Sequence, residues 1–270
     1  SAGSARLAQA LARSAQHQSE PVPPWSIWTL NTSAWSTFQE LLSQPESPYL
    51  EGTVLLVQET KLRDPERIQA AAAFMESVGY KTIFGPAELT EHDGLSGGVC
   101  LAVKSGLDIG IQPLTHPVPV ALQHRVVGAV LDAPGLVKHV AVSCYMVPRI
   151  GVQGVNTQIL GWLAEVQDVE QHPLLAGGDF NFEPPKLACT DFSSRSGLWP
   201  VTPEQPTHYT RASQRTLDWF LAAEPLSRVI QSVQTLTTAP LSPHRPVQMS
   251  IQLSQHTLIP VLIKPQQLPR

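Results

Sequence analysis

The chain has 270 residues, 42% of them apolar, and a formal net charge of -4. That length and apolar share are enough to bury one sizeable core, and α/β folds of this size commonly form one domain. The mild acidity excludes a uniformly basic coat for nucleic acid but leaves room for a local basic patch.

Residues 1–24 read as an N-terminal extension. Leu7, Ala10 and Leu11 would give one weakly amphipathic helix, which Pro21, Pro23 and Pro24 stop. The chain does not open on Met, so it is expected to begin inside a longer protein. The folded domain is expected over residues 25–253, with a tail at 254–270. Runs rich in Val, Ile and Leu predict strands at 26–30, 53–58, 98–103, 126–131, 138–145, 174–176, 216–222 and 246–253. Helical stretches are expected at 34–43, 65–78 and 155–169, the second with Pro65 at its first position. Strands and helices are mixed throughout, which gives an α/β or α+β class. Prolines around 113–119, 184–185 and 200–206 suggest stiff loops inside one domain.

Cys100, Cys144 and Cys189 form no Cys-x-x-Cys pair, and two of them sit in apolar runs, so all three are expected to be reduced core residues. No apolar stretch approaches the roughly 20 residues of a membrane span, and no signal-peptide pattern opens the chain. A reducing intracellular compartment and no membrane partner are the expectation.

Polar residues at the ends of apolar runs are the candidate chemistry. Glu59 follows Val54-Leu55-Leu56-Val57-Gln58, where a carboxylate is costly unless it binds metal, pairs or faces solvent. Asp179 follows Leu174-Leu175-Ala176-Gly177-Gly178, whose glycines allow close approach of backbone or ligand. Asn181 would project to the same side if the chain stays extended, although an Asx turn accounts for Asp179-Phe180-Asn181 equally well. Asp218 lies in Leu217-Asp218-Trp219-Phe220-Leu221, and His244 would both satisfy it and be oriented by it. Gly94-Leu95-Ser96-Gly97-Gly98 fits a nucleophile-elbow pattern, but the next residues read as a strand where that motif needs a helix. Asn31-Thr32-Ser33 is formally a glycosylation sequon, discounted in a chain with no visible secretion signal.

Trp28-Thr29-Leu30-Asn31, Gln58-Glu59-Thr60, Gly97-Gly98-Val99, Tyr145, Gly178-Asp179-Phe180-Asn181, Leu217-Asp218-Trp219-Phe220 and Ser242-Pro243-His244-Arg245-Pro246-Val247 occur in a telling order. Together they resemble the endonuclease/exonuclease/phosphatase, or deoxyribonuclease-I-like, superfamily, above all the endonuclease domains of non-LTR retrotransposons and the apurinic/apyrimidinic endonucleases. The resemblance spans about residues 25–253. It implies an α/β fold of two packed mixed β-sheets flanked by helices, a four-layer α/β/β/α sandwich. It implies a Mg²⁺-dependent (or Mn²⁺-dependent) endonuclease that nicks DNA, in a nuclear setting, excised from a longer polyprotein that carries a reverse transcriptase. By the same resemblance Glu59 would bind the metal, and Asn31 would hold the metal and phosphate network. Asp179 would deprotonate the attacking water with Asn181 positioning it, His244 held by Asp218 would donate to the phosphate, and Tyr145 would lie near the leaving oxygen.

The chain departs from the family pattern at Pro243, where an Asp commonly precedes the His, and at Ser33, where Asn or Asp is common. Proline offers neither carboxylate nor N–H, so a weakened enzyme or a non-catalytic nucleic-acid or protein binding module stands as an alternative, as does a phosphoesterase for a smaller ester. Arg149, Arg215, Arg245 and Lys61 adjoin the motifs and would ring a site built for a polyanionic strand.

Overall fold

The computed structural model describes residues 24–133 and 138–252. The helix expected around Leu7 to Leu11, Leu253 and the tail at 254–270 lie outside them. Two βαβ units form its centre. In the first, β1 (Trp25–Asn31) pairs in parallel with β2 (Val54–Gln58), and α1 (Trp35–Ser43) lies between them in sequence. In the second, β7 (His139–Tyr145) pairs in parallel with β8 (Leu174–Asp179) after α3 (Val155–Glu170). Every residue of β2, β7 and β8 is buried, as expected of strands covered on both faces.

Antiparallel strands extend each unit into a six-stranded sheet. The first adds β3 (Tyr80–Leu89), β4 (Leu95–Lys104), β13 (Ile230–Thr235) and β14 (Val247–Ile251), in the order β13-β14-β1-β2-β4-β3. The second adds β5 (Gly110–Gln112), β6 (Val126–Asp132), β9 (Leu198–Val201) and β12 (Asp218–Ala223), in the order β5-β6-β7-β8-β12-β9. Side chains such as Leu56, Val99, Leu175 and Phe220 fill the space between the sheets. The first sheet carries α1 and α2 (Pro65–Ser77) on its other face, through Phe38, Leu42 and Met75. The second carries α3, whose Ile159, Leu163 and Val166 recur at helical spacing against Trp219 and Leu221. Each such fully buried side chain contributes about 1.5–3 kcal/mol relative to exposure. The result is the four-layer sandwich that the resemblance implied.

A buried polar link joins the two sheets. Gln58 Nε2 donates to Ser143 Oγ at 3.0 Å, Ser143 Oγ donates to Val57 O at 3.0 Å, and Thr29 Oγ1 donates to Gln58 Oε1 at 3.3 Å. The link fixes the end of β2, from which Glu59 emerges, against β7. Gly178 fixes β8 in turn. A Cβ there would stand 2.0 Å from Cys144 O, a clash with the backbone of the neighbouring strand. Gly178→Ala should therefore force β8 away from β7 just before Asp179 and destabilise the fold by about 1–3 kcal/mol. Thermal unfolding beside an activity assay checks this, and an unchanged melting temperature would contradict it.

Ser96 lies inside β4 opposite Glu88, so the strand expected after Gly94-Leu95-Ser96-Gly97-Gly98 is present and no strand-turn-helix elbow forms. Two expectations change. Pro200 sits within β9, the edge strand of its sheet, where a missing N–H costs no ladder bond. Cys100 and Cys144 are buried, but Cys189 is exposed, because it follows the short α4 (Pro184–Ala188) at the surface instead of continuing a strand.

Candidate active site

The C-terminal ends of β1, β2, β7 and β8 meet at one rim, where the antiparallel β12 begins and the segment leading into β14 passes. Asn31 closes β1, Glu59 follows β2, Tyr145 closes β7, Asp179 closes β8, Asp218 opens β12, and His244 stands just ahead of β14. Across the second sheet Tyr145, Asp179 and Asp218 are register partners on three neighbouring strands.

Asp179 is the hub. Its carboxylate is 1% exposed and accepts from Asn31 Nδ2 at 2.9 Å, from Asn181 Nδ2 at 3.0 Å and from the Asn181 backbone N–H at 3.0 Å. The first of these bonds crosses from one sheet to the other. Asn181 also donates to Met146 O at 2.8 Å, and Asn31 Oδ1 accepts the Ser33 N–H at 3.0 Å, so both amides are oriented from two sides. Asp179-Phe180-Asn181 is the Asx turn of the two readings, not an extended continuation of β8, and it is this turn that brings the Asn181 amide back onto the Asp179 carboxylate. Burial, followed by the charge of Asp218, raises Asp179 to about 7 against the opposing pull of His244, Asn31 and the Asn181 N–H. A carboxylate at that level suits a general base near neutrality.

His244 faces it. Nδ1 sits 2.9 and 3.1 Å from the two oxygens of Asp218, and Nε2 lies 3.7 Å from Asp179 Oδ2. Burial works against the imidazolium, but the charge and hydrogen bond of Asp218, with the charges of Asp179 and Glu59, outweigh it and lift His244 to about 9. Nε2 is thus a proton-bearing donor on the open side of the ring. Tyr145 hydrogen-bonds Glu59; burial first, then that carboxylate and Asp179, holds the phenol protonated, with Arg125 opposing.

Backbone strain gathers here. Ser33, Glu59, Lys61, Arg149 and Asn181 all have φ between 53° and 71°, the left-handed region that costs a side-chain-bearing residue of order 1–3 kcal/mol. Gly98, at φ 81°, lets the turn after Glu59 press against β4, since a Cβ there would lie 2.6 Å from Thr60 Oγ1. Asp179, Asp218 and His244 each offer an atom within 4.8 Å of the others, a grouping close enough to hold a metal ion. With His244 Nδ1 on Asp218 and its Nε2 carrying a proton, the metal-binding atoms left at the rim are carboxylate oxygens, which suit a hard divalent cation. Pro243 adds no donor, because its carbonyl already accepts the Tyr209 N–H at 2.9 Å.

The model of the Endonuclease/Exonuclease/phosphatase family matches residues 4–248. The chain belongs to that family. Solved structures agree in fold. An AP endonuclease from Leishmania major, LMAP, aligns with a TM-score of 0.64 over 85% of this chain and 88% of its own, at 17% identity. The human Nocturnin catalytic domain with bound sulfate gives 0.61 over 87% and 97%, at 16% identity. The endonuclease domain of TRAS1, a telomere-specific non-LTR retrotransposon, gives 0.60 over 86% and 99%, also at 16% identity. Comparison with curated proteins returns no sequence match. Family members hydrolyse phosphodiesters or phosphate esters, and among the described residues no helix is long and apolar enough to cross a membrane.

The basic residues part company. Arg149 is exposed and Lys61 half-buried, and neither has an acidic partner among the described residues. Arg215 pairs with Glu183 at 3.6 Å. Arg245 turns inward, donating to Ala239 O and Leu241 O and lying over the Tyr209 ring, so it secures the loop that presents His244. Two site neighbours carry no local motif, and only the fold brings them in. Arg125, 7% exposed, lies over the Tyr145 ring and donates to Glu88 at 2.8 Å. His208 stacks edge-on against His244, and burial, then the His244 charge, holds it below its ordinary value and so neutral.

Proposed function

We propose that this protein is a Mg²⁺-dependent endonuclease, with Mn²⁺ as the alternative ion, that hydrolyses DNA phosphodiester bonds to leave 3′-hydroxyl and 5′-phosphate ends. One observation carries the reading: a buried carboxylate set at about 7 faces an imidazolium held by a second carboxylate, 3.7 Å away across one rim. The divalent ion, held by Glu59, would neutralise phosphate charge. Asp179 takes the proton of the attacking water, which Asn181 orients. His244 Nε2 donates to a non-bridging phosphate oxygen as negative charge grows there. The Tyr145 hydroxyl stands ready beside the departing 3′ oxygen. Asn31 acts through Asp179, keeping it aligned with both partners. With the base, the donor and their orienting residues all present despite Pro243, the site supports an active enzyme over a binding module.

Arg149 and Lys61, which have no acidic partner among the described residues, favour a polyanion over a small ester. Duplex binding should weaken steeply with salt, and Arg149→Ala with Lys61→Ala should flatten log K against log salt by about 0.9 for each phosphate no longer neutralised. A slope unchanged from the parent would place these cations off the DNA path. The function itself is tested by comparing kcat/KM for a duplex oligonucleotide with that for p-nitrophenyl phosphate under Mg²⁺. The nuclease reading expects the duplex to be favoured by orders of magnitude; preference for the monoester would replace it with a small-substrate phosphatase.

A further inference from the structure

We infer that the hairpin of β10 (His208–Tyr209) and β11 (Gln214–Arg215) is a clamp for the Asp218–His244 pair, with His208 as a positioning residue that holds the His244 ring. The inference rests on the proposed roles of that pair. It goes beyond them in assigning a task to residues outside every recognised motif.

Three successive residues at the hairpin grip both members of the pair. Thr207, fully buried, accepts the backbone N–H groups of Leu217 at 3.0 Å and Asp218 at 2.9 Å on its hydroxyl, which fixes where β12 starts. His208 forms an isolated antiparallel bridge with His244. The bonds around that bridge are Tyr209 N–H to Pro243 O at 2.9 Å and Arg245 N–H to Thr207 O at 2.6 Å. The two imidazole rings lie 4.8 Å apart at 71°, and the Tyr209 ring lies under the Arg245 guanidinium.

Two neighbours orient the His244 ring. Asp218 binds Nδ1, which leaves the ring free to swing about that contact. The edge-to-face contact with His208 blocks the swing on one face, and Nε2 is left aimed toward Asp179. His208 Nδ1 is itself buried with no hydrogen-bond partner, an unfavourable state that packing against His244 must offset. An apolar ring of similar shape would avoid that cost and keep the contact, so the ring and not its nitrogen is the working part. Supporting residues of this kind typically change activity by about 10–100-fold when removed.

The test is a variant series on plasmid nicking. His208→Ala should lower kcat about tenfold with KM for DNA unchanged. His208→Phe should recover most of that loss, and His208→Ala added to His244→Ala should cost nothing further. An unchanged kcat in His208→Ala would overturn the inference. So would a rise in KM at constant kcat, which marks a DNA contact, or an equal loss in the His244→Ala background. A readout independent of activity separates this inference from the nuclease reading. In ¹⁵N-labelled protein His244 should give one sharp Nδ1–H resonance that broadens or splits in His208→Ala and returns in His208→Phe. If the parent fails to nick but the resonance behaves so, the function falls and the clamp stands; a resonance unaltered by His208→Ala removes the clamp.

Discussion

Replacing Asp179 with Asn should abolish DNA nicking, and replacing His244 with Ala should do the same, each by at least about 10²-fold while the fold persists. Asp179 is asked to take a proton, which an amide cannot do. Its Oδ2 also receives both Asn31 Nδ2 and Asn181 Nδ2 while Oδ1 receives the Asn181 backbone N–H, so an amide placed there turns its NH₂ toward at least one donor in either orientation. An unsatisfied buried donor costs about 1–3 kcal/mol, so the variant should melt earlier yet still fold cooperatively. His244→Ala removes the proton-bearing Nε2 and leaves Asp218, 1% exposed, without its partner. Circular dichroism and thermal melts beside the nicking assay separate lost chemistry from lost structure. A folded variant of either kind that nicks at the parent rate removes that residue from the mechanism.

The nicking rate should follow a bell in pH, and Asp218→Asn should slide the whole bell toward acid while lowering its peak. Activity needs Asp179 ionised, so it rises as pH passes through about 7, and it needs His244 protonated, so it falls as pH passes through about 9. The Asp218 charge raises both groups, and its hydrogen bond raises His244 further. Removing that charge lowers both, so each limb moves to lower pH. The peak drops because His244 loses its orienting acceptor and because the Asp179 base weakens as its affinity for protons falls. Bound Mg²⁺ favours ionised carboxylates and draws the acid limb down as well, so the two proteins must be compared at one Mg²⁺ concentration. Movement of only one limb would mean that Asp218 is not the shared neighbour of both groups.

The sequence was readable where burial is two-sided and where a motif is contiguous. Val54 to Val57, Val140 to Val142 and Leu174 to Ala176 are continuous apolar runs because both faces of their strands are covered, and all three are strands of the structure. Of the six strands that the pattern did not reveal, β3, β5, β9 and β13 are the edges of the two six-stranded sheets, and β10 and β11 form the two-stranded one. Edges are half-solvated and carry Pro86, Pro200 or polar runs such as Gln231-Ser232, which blunt open pairing but erase the alternating signal. The site divides in the same way. Asn31, Glu59, Tyr145, Asp179, Asn181, Asp218 and His244 could be named because each sits in a short motif at the end of a strand, and the structure gathers them at one rim. Their partners Arg125, Thr207 and His208 act through contacts made across the two sheets or through a short hairpin, and no local spacing announces them. Arg245, expected as a DNA contact beside His244, also donates through Nη1 to the carbonyls of its own loop, a use that sequence proximity does not reveal.

Supercoiled plasmid incubated with the parent protein and Mg²⁺, with EDTA and with Asp179→Asn as the two controls, tests the central claim most directly. The account predicts open-circular product with Mg²⁺, ends that a DNA polymerase extends without prior treatment, and no product in either control. Nicking that persists in EDTA, or in folded Asp179→Asn, would contradict it.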